Sequence, residues 1–373
     1  MKFNQIIGHD LLKAQMSAMY RHDRLPHALM LVGPSGCGGL ATAIAFASFL
    51  LCEQKQGEDS CGVCSNCRKN EKLAHPDVHF SYPVISGKSG NKPVSTDYIT
   101  EFRSFVSQFP YGTINDWMTL IEAENKQGNI SAQECLEIYK KLTIKAFEGG
   151  RKILILWLPE YLAKEGNRLL KLIEEPPDHT VFIFVAEDTA MILPTILSRC
   201  QLLHFHNYSD LEIENGLSSK TQLSPMECAQ IAQLADGNMG NALDIANHSL
   251  ENNSEVLIDW LRKCYVGNGI EMVMCAEKIA SIGKEALKHM LTYGLHIFRE
   301  LMRYHATGST NLRLTEIDKG TILKLAKVVH LQQIDLAVKL LNQIIYHIER
   351  NANAKILLVD ASLRLNNILK SKI

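Results

Sequence analysis

Four cysteines, Cys52, Cys61, Cys64 and Cys67, stand in the spacing C-x8-C-x2-C-x2-C. Thiolates are soft ligands, and a Cys-x-x-Cys turn aims two of them at one ion while Gly62 relieves the tight knuckle. Four such ligands satisfy tetrahedral zinc and leave no open position for a substrate water, so the expected role is structural. The surrounding "EQKQGEDSCGVCSNCRKNEK" is polar, a poor setting for four unrelated buried thiols. The other cysteines, Cys37, Cys135, Cys200, Cys228, Cys264 and Cys275, lack ligand spacing and read as small apolar fillers.

A second pattern lies just upstream. In "LMLVGPSGCGGLATAIA", residues 29–45, Gly33 and Gly38 fit the phosphate-loop frame G-x-x-x-x-G-K-[ST]. Such a loop cradles phosphates on backbone N–H groups, its lysine reaches the terminal phosphates and its hydroxyl ligates magnesium. Here Gly39 stands where the lysine belongs and Leu40 where the hydroxyl belongs.

The elements that must carry these residues can be read from pattern. A chain of 373 residues, 46% hydrophobic and 21% charged, suggests two or three ordinary globular domains. The net charge of -1 gives no global positive field, so any nucleic-acid contact must come from a local patch. The opening "MKFNQIIGHD" lacks a signal-peptide core, and the apolar stretch "AIAFASFLLC" is too short to span a bilayer. The expectation is a cytoplasmic protein with reduced cysteines and no membrane partner. Over the first two hundred residues strands alternate with helices: "HALMLVG", "RKILILWLP" and "TVFIFVAE" read as strands covered on both faces, and "LATAIAFASFLL" as the helix leaving the glycine loop. "EGNRLLKLIEEPP" reads as a helix stopped by Pro176 and Pro177. After "SRCQLLHFH" the pattern turns helical to the end, and "SGKSGNKPVS" at 86–95 reads as a surface loop.

In this order, the glycine loop, the four cysteines, "HPD" (75–77), "FEGGRKILIL" (147–156), "NRLLKLIEEPP" (167–177) and "LPTILSRCQ" (193–201) carry a resemblance. The chain resembles the bacterial clamp-loader subunits of DNA polymerase III, which comprise the gamma/tau ATPases and the delta-prime subunits. The match covers most of residues 1–245. It implies an α/β AAA+ domain at 1–207 with a parallel sheet and a zinc module at 52–67; an extra segment at about 85–128 is not part of the family pattern. An all-α three-helix lid at 208–250 and an all-α collar at 251–373 for oligomerisation would follow. Implied partners are the gamma/tau and delta subunits, with the sliding clamp and primed DNA reached through the complex.

Within that family, three parts of the ATPase are missing here. The loop has Gly39 and Leu40; Trp157 and Leu158 stand where an Asp-Glu pair ends the strand; and Gly240 in "GNMGNAL" stands where ATPase relatives carry an arginine. Together these losses remove charge compensation, metal ligation and water positioning, so the resemblance points to the non-hydrolysing delta-prime branch. The loop is then expected to persist as the hub of the fold, with weak residual anion affinity at most. Ser198-Arg199-Cys200 matches the family's Ser-Arg-Cys signature, whose arginine projects into a neighbouring subunit's ATP site, a task suited to its planar fork. Lys164, Arg168 and Lys171 recur at helical spacing and form a candidate basic stripe for duplex phosphates; a solvated helix face countered by Glu174 and Glu175 is the alternative. Two other readings stay open, a gamma/tau-like or recombination-type ATPase with an atypical loop, and a free-standing zinc-knuckle DNA-binding protein. The segment "FRSFVSQFPYGTINDWMTLIEAENKQ" departs from the family, and its aromatic content suggests a docked helical insertion.

Overall fold

A computed structural model describes residues 1–373 apart from 86–92, 124–125, 127, 149, 248–252, 310–311, 313–315, 350–351 and 372–373. The expected surface loop at 86–95 therefore lies largely outside the described residues. The chain divides into two compact units, Met1–Gly216 with Gly237–Asn241, and Leu217–Asp236 with Ala242–Ile373.

The first unit is built on five strands, β1 (Ala28–Val32), β2 (Val78–Ser81), β3 (Lys152–Trp157), β4 (Thr180–Ala186) and β5 (Gln201–His204). They pair in parallel in the order β2-β3-β4-β1-β5. The three apolar runs form the sheet centre, and their side chains alternate between two cores as the pleat requires. Leu29, Leu31, Ile153, Ile155, Val181 and Ile183 face one core. Met30, Leu154, Leu156, Phe182 and Phe184 face the other. β2 is short and interrupted by His79, which explains why alternation did not announce it.

Helices α1 (Asp10–Arg21), α2 (Gly39–Leu51) and α3 (Ser65–Glu71) cover the first face. Every residue of α2 is buried, because it lies against the sheet, α1 and α3 at once; a helix apolar all round belongs in such a place. Helices α4 (Ile99–Gln108) and α5 (Ile114–Leu120) complete this face. Phe102 and Phe105 from α4 and Trp117 from α5 are fully buried. The ring of Phe102 stacks on Tyr82 at 3.8 Å, and Trp117 Nε1 donates to the Pro83 carbonyl at 2.8 Å. The "HPD" residues act as a clasp between these elements. The Asp77 carboxylate accepts from the backbone N–H of Phe147 at 2.6 Å and of Glu148 at 3.0 Å, and its own N–H donates to His75 Nδ1 at 3.1 Å.

The opposite face is covered by α6 (Ala132–Thr143), a 3-10 segment Pro159–Leu169, α7 (Leu170–Glu174) and α8 (Pro194–Leu197). The single α-helix expected over 163–175 is instead 3-10 as far as Leu169 and α only from Leu170, and a kink stands at its start. Ala163 sits at φ 45° and ψ -130°, and Gly166 passes so close to α8 that an added Cβ would lie 2.9 Å from Ile196 Cδ1.

Helices α9 (Asp210–Lys220), α10 (Pro225–Ala235) and α11 (Met239–Asn247) follow. The second unit then contains α12 (Asn253–Val266), α13 (Gly269–Ala280), α14 (Lys284–Thr307), α15 (Glu316–Leu325), α16 (Leu331–Glu349) and α17 (Ala354–Lys370). Its core gathers Leu257, Trp260, Leu291, Phe298, Leu341 and Leu365, and Trp260 Nε1 donates to Ser362 Oγ at 2.8 Å.

Candidate functional site

The C-terminal edge of a parallel sheet is where loops converge and where ligands of α/β proteins usually bind. The glycine loop leaves β1 there, beside the ends of β3, β4 and β5. Gly36 (φ +77°) and Gly38 (φ +81°) hold the left-handed conformations that the turn needs. Leu158 follows β3 at φ 59°, and the carboxyl of Glu160 beyond it accepts from the N–H groups of Glu187 at 2.6 Å and Asp188 at 2.8 Å. That carboxyl therefore braces a turn rather than facing the loop, and burial raises its pKa. Burial likewise raises that of Glu187, which lines the loop's cleft. Trp157 is 3% exposed and lies against Phe105, with ring centroids 5.2 Å apart.

The loop's backbone is already engaged by protein groups. Tyr208 Oη donates to the Cys37 carbonyl at 2.8 Å, and His9 Nε2 lies 3.2 Å from the same oxygen. Asn238 Nδ2 donates to the Ser35 carbonyl at 2.9 Å. The remaining cavity is about 20 Å³, lined by the loop, Trp157, Glu187, Phe205 and Pro110–Gly112. That is room for about one water, whereas small-molecule sites run to roughly 300–1,000 Å³. Burial pushes the Cys37 thiol up to about 12, so it is an inert filler, as the sequence suggested.

The four cysteines meet. Cys52 ends α2, Cys64 begins α3 and Cys67 lies within it. All four sulfurs fall within 4.8 Å of one another, and Cys61 and Cys67 are 3.8 Å apart. A tetrahedron with metal–sulfur bonds of about 2.3 Å has edges of about 3.8 Å, so the donor set fits a tetrahedral ion. The knuckle is formed as expected: Gly62 takes φ +78°, and the N–H groups of Val63 and Cys64 donate to Cys61 Sγ at 3.4 and 3.3 Å. Those donors pull the Cys61 thiol down to about 6, toward the thiolate a metal requires.

Arg199 stands in the junction between α8 and β5. Its Nη1 donates to the Thr195 carbonyl at 2.7 Å and to Ser198 Oγ at 3.2 Å, and its Nη2 pairs with Glu174. Cys200 beside it is partly buried, and burial pushes its thiol up to about 12, which disfavours reactivity. Lys164, Arg168 and Lys171 are all exposed, but the change from 3-10 to α-helix after Leu169 keeps them off one regular helical face. Arg168 is paired with Glu165 at 2.6 Å.

Sequence reasoning did not single out Tyr111, Tyr208, His9 or Asn238, which close around the glycine loop. Nothing in the spacing around Pro110-Tyr111-Gly112 says which distant element it meets.

A five-stranded parallel sheet with a glycine loop opening a helix at its C-terminal edge defines an α/β protein of the P-loop class. The chain belongs to the family described as DNA polymerase III, delta subunit, whose profile matches residues 8–209. It is 29% identical over 175 residues to the DNA polymerase III subunit delta' of Pseudomonas aeruginosa, covering 47% of this chain and 41% of that one. To the delta' subunit of Bacillus subtilis it is 28% identical over 226 residues, covering 61% and 55%. The chain thus spans about half the length of the curated relatives it matches. Among solved structures, a DNA polymerase III gamma subunit-related protein of Thermotoga maritima aligns at a TM-score of 0.40 and 13% identity, covering 95% of this chain and 100% of that one.

Proposed function

We propose that the chain is a non-hydrolysing, stator-type clamp-loader subunit of a DNA polymerase III holoenzyme, helping to place a sliding clamp on primed DNA. One observation carries this reading: the glycine loop lacks its lysine and hydroxyl and is closed by protein, while Ser198-Arg199-Cys200 is kept in a partly exposed junction. A subunit that has lost its own phosphate chemistry yet keeps an arginine at its surface is suited to serve a neighbour's site. The arginine's planar fork spreads positive charge over phosphate oxygens as they gain charge, a form of electrostatic stabilisation.

In this reading the partners are gamma/tau and delta subunits, joined through a helical collar at 251–373, with 208–250 as the lid. Cys52, Cys61, Cys64 and Cys67 hold one structural zinc; the ion cross-links the end of α2 to α3 and takes no part in turnover. Lys164, Arg168 and Lys171 offer separate contacts to duplex phosphates. A cytoplasmic site agrees with this role, and no helix among the described residues is long and apolar enough to cross a membrane.

The test is co-purification of the full chain from native cells with identification of the bound chains, then reconstitution. Clamp-loader subunits are expected in the complex, and omitting this chain should abolish clamp loading. Stable isolation without any loader subunit, or ATP hydrolysis by the chain alone, would overturn the proposal.

A further inference from the structure

The tight turn between α4 and α5 deserves its own functional reading, because it ends against the glycine loop. The Gly112 N–H donates to the Phe109 carbonyl at 2.9 Å, and Thr113 caps α5, with its N–H donating to Asp116 Oδ2 at 2.7 Å. The buried Phe102, Phe105 and Trp117 hold the two helices on either side. At the tip, Tyr111 is 3% exposed. Its ring lies on the loop so closely that a Cβ on Gly38 would be 2.8 Å from Cε1. Its hydroxyl accepts from the Ile7 N–H at 2.9 Å. Its carbonyl reaches the segment around Gly240, where a Cβ would lie 2.5 Å away.

We infer that the Pro110–Gly112 turn is a built-in occupant of the cleft above the glycine loop, which it fills with protein where a phosphate loop ordinarily receives nucleotide. One of the three departures from the ATPase pattern meets the turn directly: Gly240 is the residue whose side chain would strike the Tyr111 carbonyl. A second, Trp157, packs on Phe105 of α4, the helix that leads into the turn. Gly240 therefore does more than lack a catalytic group: it makes room for the turn. Asn238 completes the closure, since a Cβ on Gly36 would come within 2.0 Å of its Oδ1. The turn ties together the glycine loop, the N-terminal segment at Ile7 and the 237–241 segment without any ligand, and it holds them in one arrangement.

This inference concerns the isolated chain and does not depend on the clamp-loader reading, so the two fail separately. The experiment is amide hydrogen exchange on the full chain, with magnesium and inorganic pyrophosphate as the probe. In wild type, millimolar pyrophosphate should leave exchange in peptides covering 33–41 unchanged. In Tyr111→Ala, exchange should rise by about tenfold in both 33–41 and 237–241, while the peptide covering 52–75 and those of α14 stay as they were. Gly240→Ala, which leaves Tyr111 in place but displaces its carbonyl, should raise exchange over 33–41 as well. Protection of the wild-type loop by pyrophosphate, or loop exchange within about twofold of wild type in both variants, overturns the inference. Should Tyr111→Ala not fold, Tyr111→Phe keeps the ring and loses only the acceptor. It should raise exchange at Ile7 alone, and an unchanged Ile7 would count against the turn as a tie.

Discussion

Arg199 is folded back onto Glu174 of its own chain, its guanidinium shared between that carboxylate, the Thr195 carbonyl and Ser198 Oγ. Both side chains of the ion pair are partly exposed, 34% and 45%, and a surface pair of this kind contributes about 1 kcal/mol or less. The contact is therefore weak enough for the arginine to exchange it for a more strongly charged anion.

If Arg199 acts in trans, Arg199→Ala should leave fold, metal content and assembly intact but slow clamp- and DNA-stimulated ATP hydrolysis by the partner subunits. An arginine finger is worth about 10³ to 10⁵ where a single site is read; here one of several sites borrows it, so a loss of about twofold is expected. Arg199→Lys should rescue poorly, because a point charge cannot reproduce the fork. Glu174→Gln should not lower the stimulated rate, and Arg151→Ala, outside the signature, serves as the control. A reconstituted loader with full stimulated hydrolysis in the Arg199→Ala form would refute the assignment.

The thiolate cluster predicts about one zinc per chain. Elemental analysis should find it in wild type and lose it in the double variant Cys61→Ser/Cys64→Ser. Because a closed site contributes folding energy, a chelator should raise amide exchange first over 52–75 and later, if at all, in the sheet. Protein purified free of metal with an undisturbed 52–75 segment would count against a metal role.

How far the molecule was legible beforehand depended on whether the signal was local. The cysteine spacing carried its own geometry, and the four sulfurs do converge. The central strands announced themselves because they are covered on both faces. The break at Ala163 did not, since the close approach of Gly166 to Ile196 is made by residues 30 positions apart. The same holds for the glycine loop: its missing lysine was plain, but the Tyr111 ring that fills the space comes from a segment whose composition showed only that it would be buried. Long-range packing of this kind leaves no periodic trace.

The isolated chain should hydrolyse no ATP, and Gly39→Lys should not restore turnover. Magnesium ligation and water positioning are also missing, at Leu40 and at Trp157-Leu158. The structure adds a packing effect: a Cβ at Gly39 would lie 3.0 Å from Val185 Cγ1, so Val185 must give by a few tenths of an ångström to admit it. Phosphate release and urea unfolding read the two effects separately, and clear turnover in this single variant would show that the losses are not independent.

Acid should loosen the molecule partly through His9. Burial, and after it the neighbouring His206 ring, lowers the His9 pKa from 6.5 to about 4; Glu212 and Lys13 are the other charges nearby. The unfolded chain then binds more protons than the folded one between those values. Stability from this group is complete above pH 6.5 and is lost as pH falls toward about 4, by up to about 3 kcal/mol. His9→Gln keeps a donor for the Cys37 carbonyl and should flatten this part of the profile. Urea midpoints at several pH values check it, and an unchanged slope would rule His9 out.

The order of the strands also has a consequence for how the protein is born. β1 ends at Val32, but β4, its inner neighbour, begins only at Thr180, and β5, its outer one, at Gln201. At roughly 5–20 residues per second, the ribosome needs roughly 8–30 s to supply the first of these partners. Throughout that interval α2, apolar on every side, lacks the β4 surface on which it comes to rest. The cysteine module, by contrast, is closed within 52–67, so its four sulfurs can meet before β4 is made. Nascent chains stalled before residue 180 should therefore be strong chaperone clients, and release beyond β5 should end that dependence.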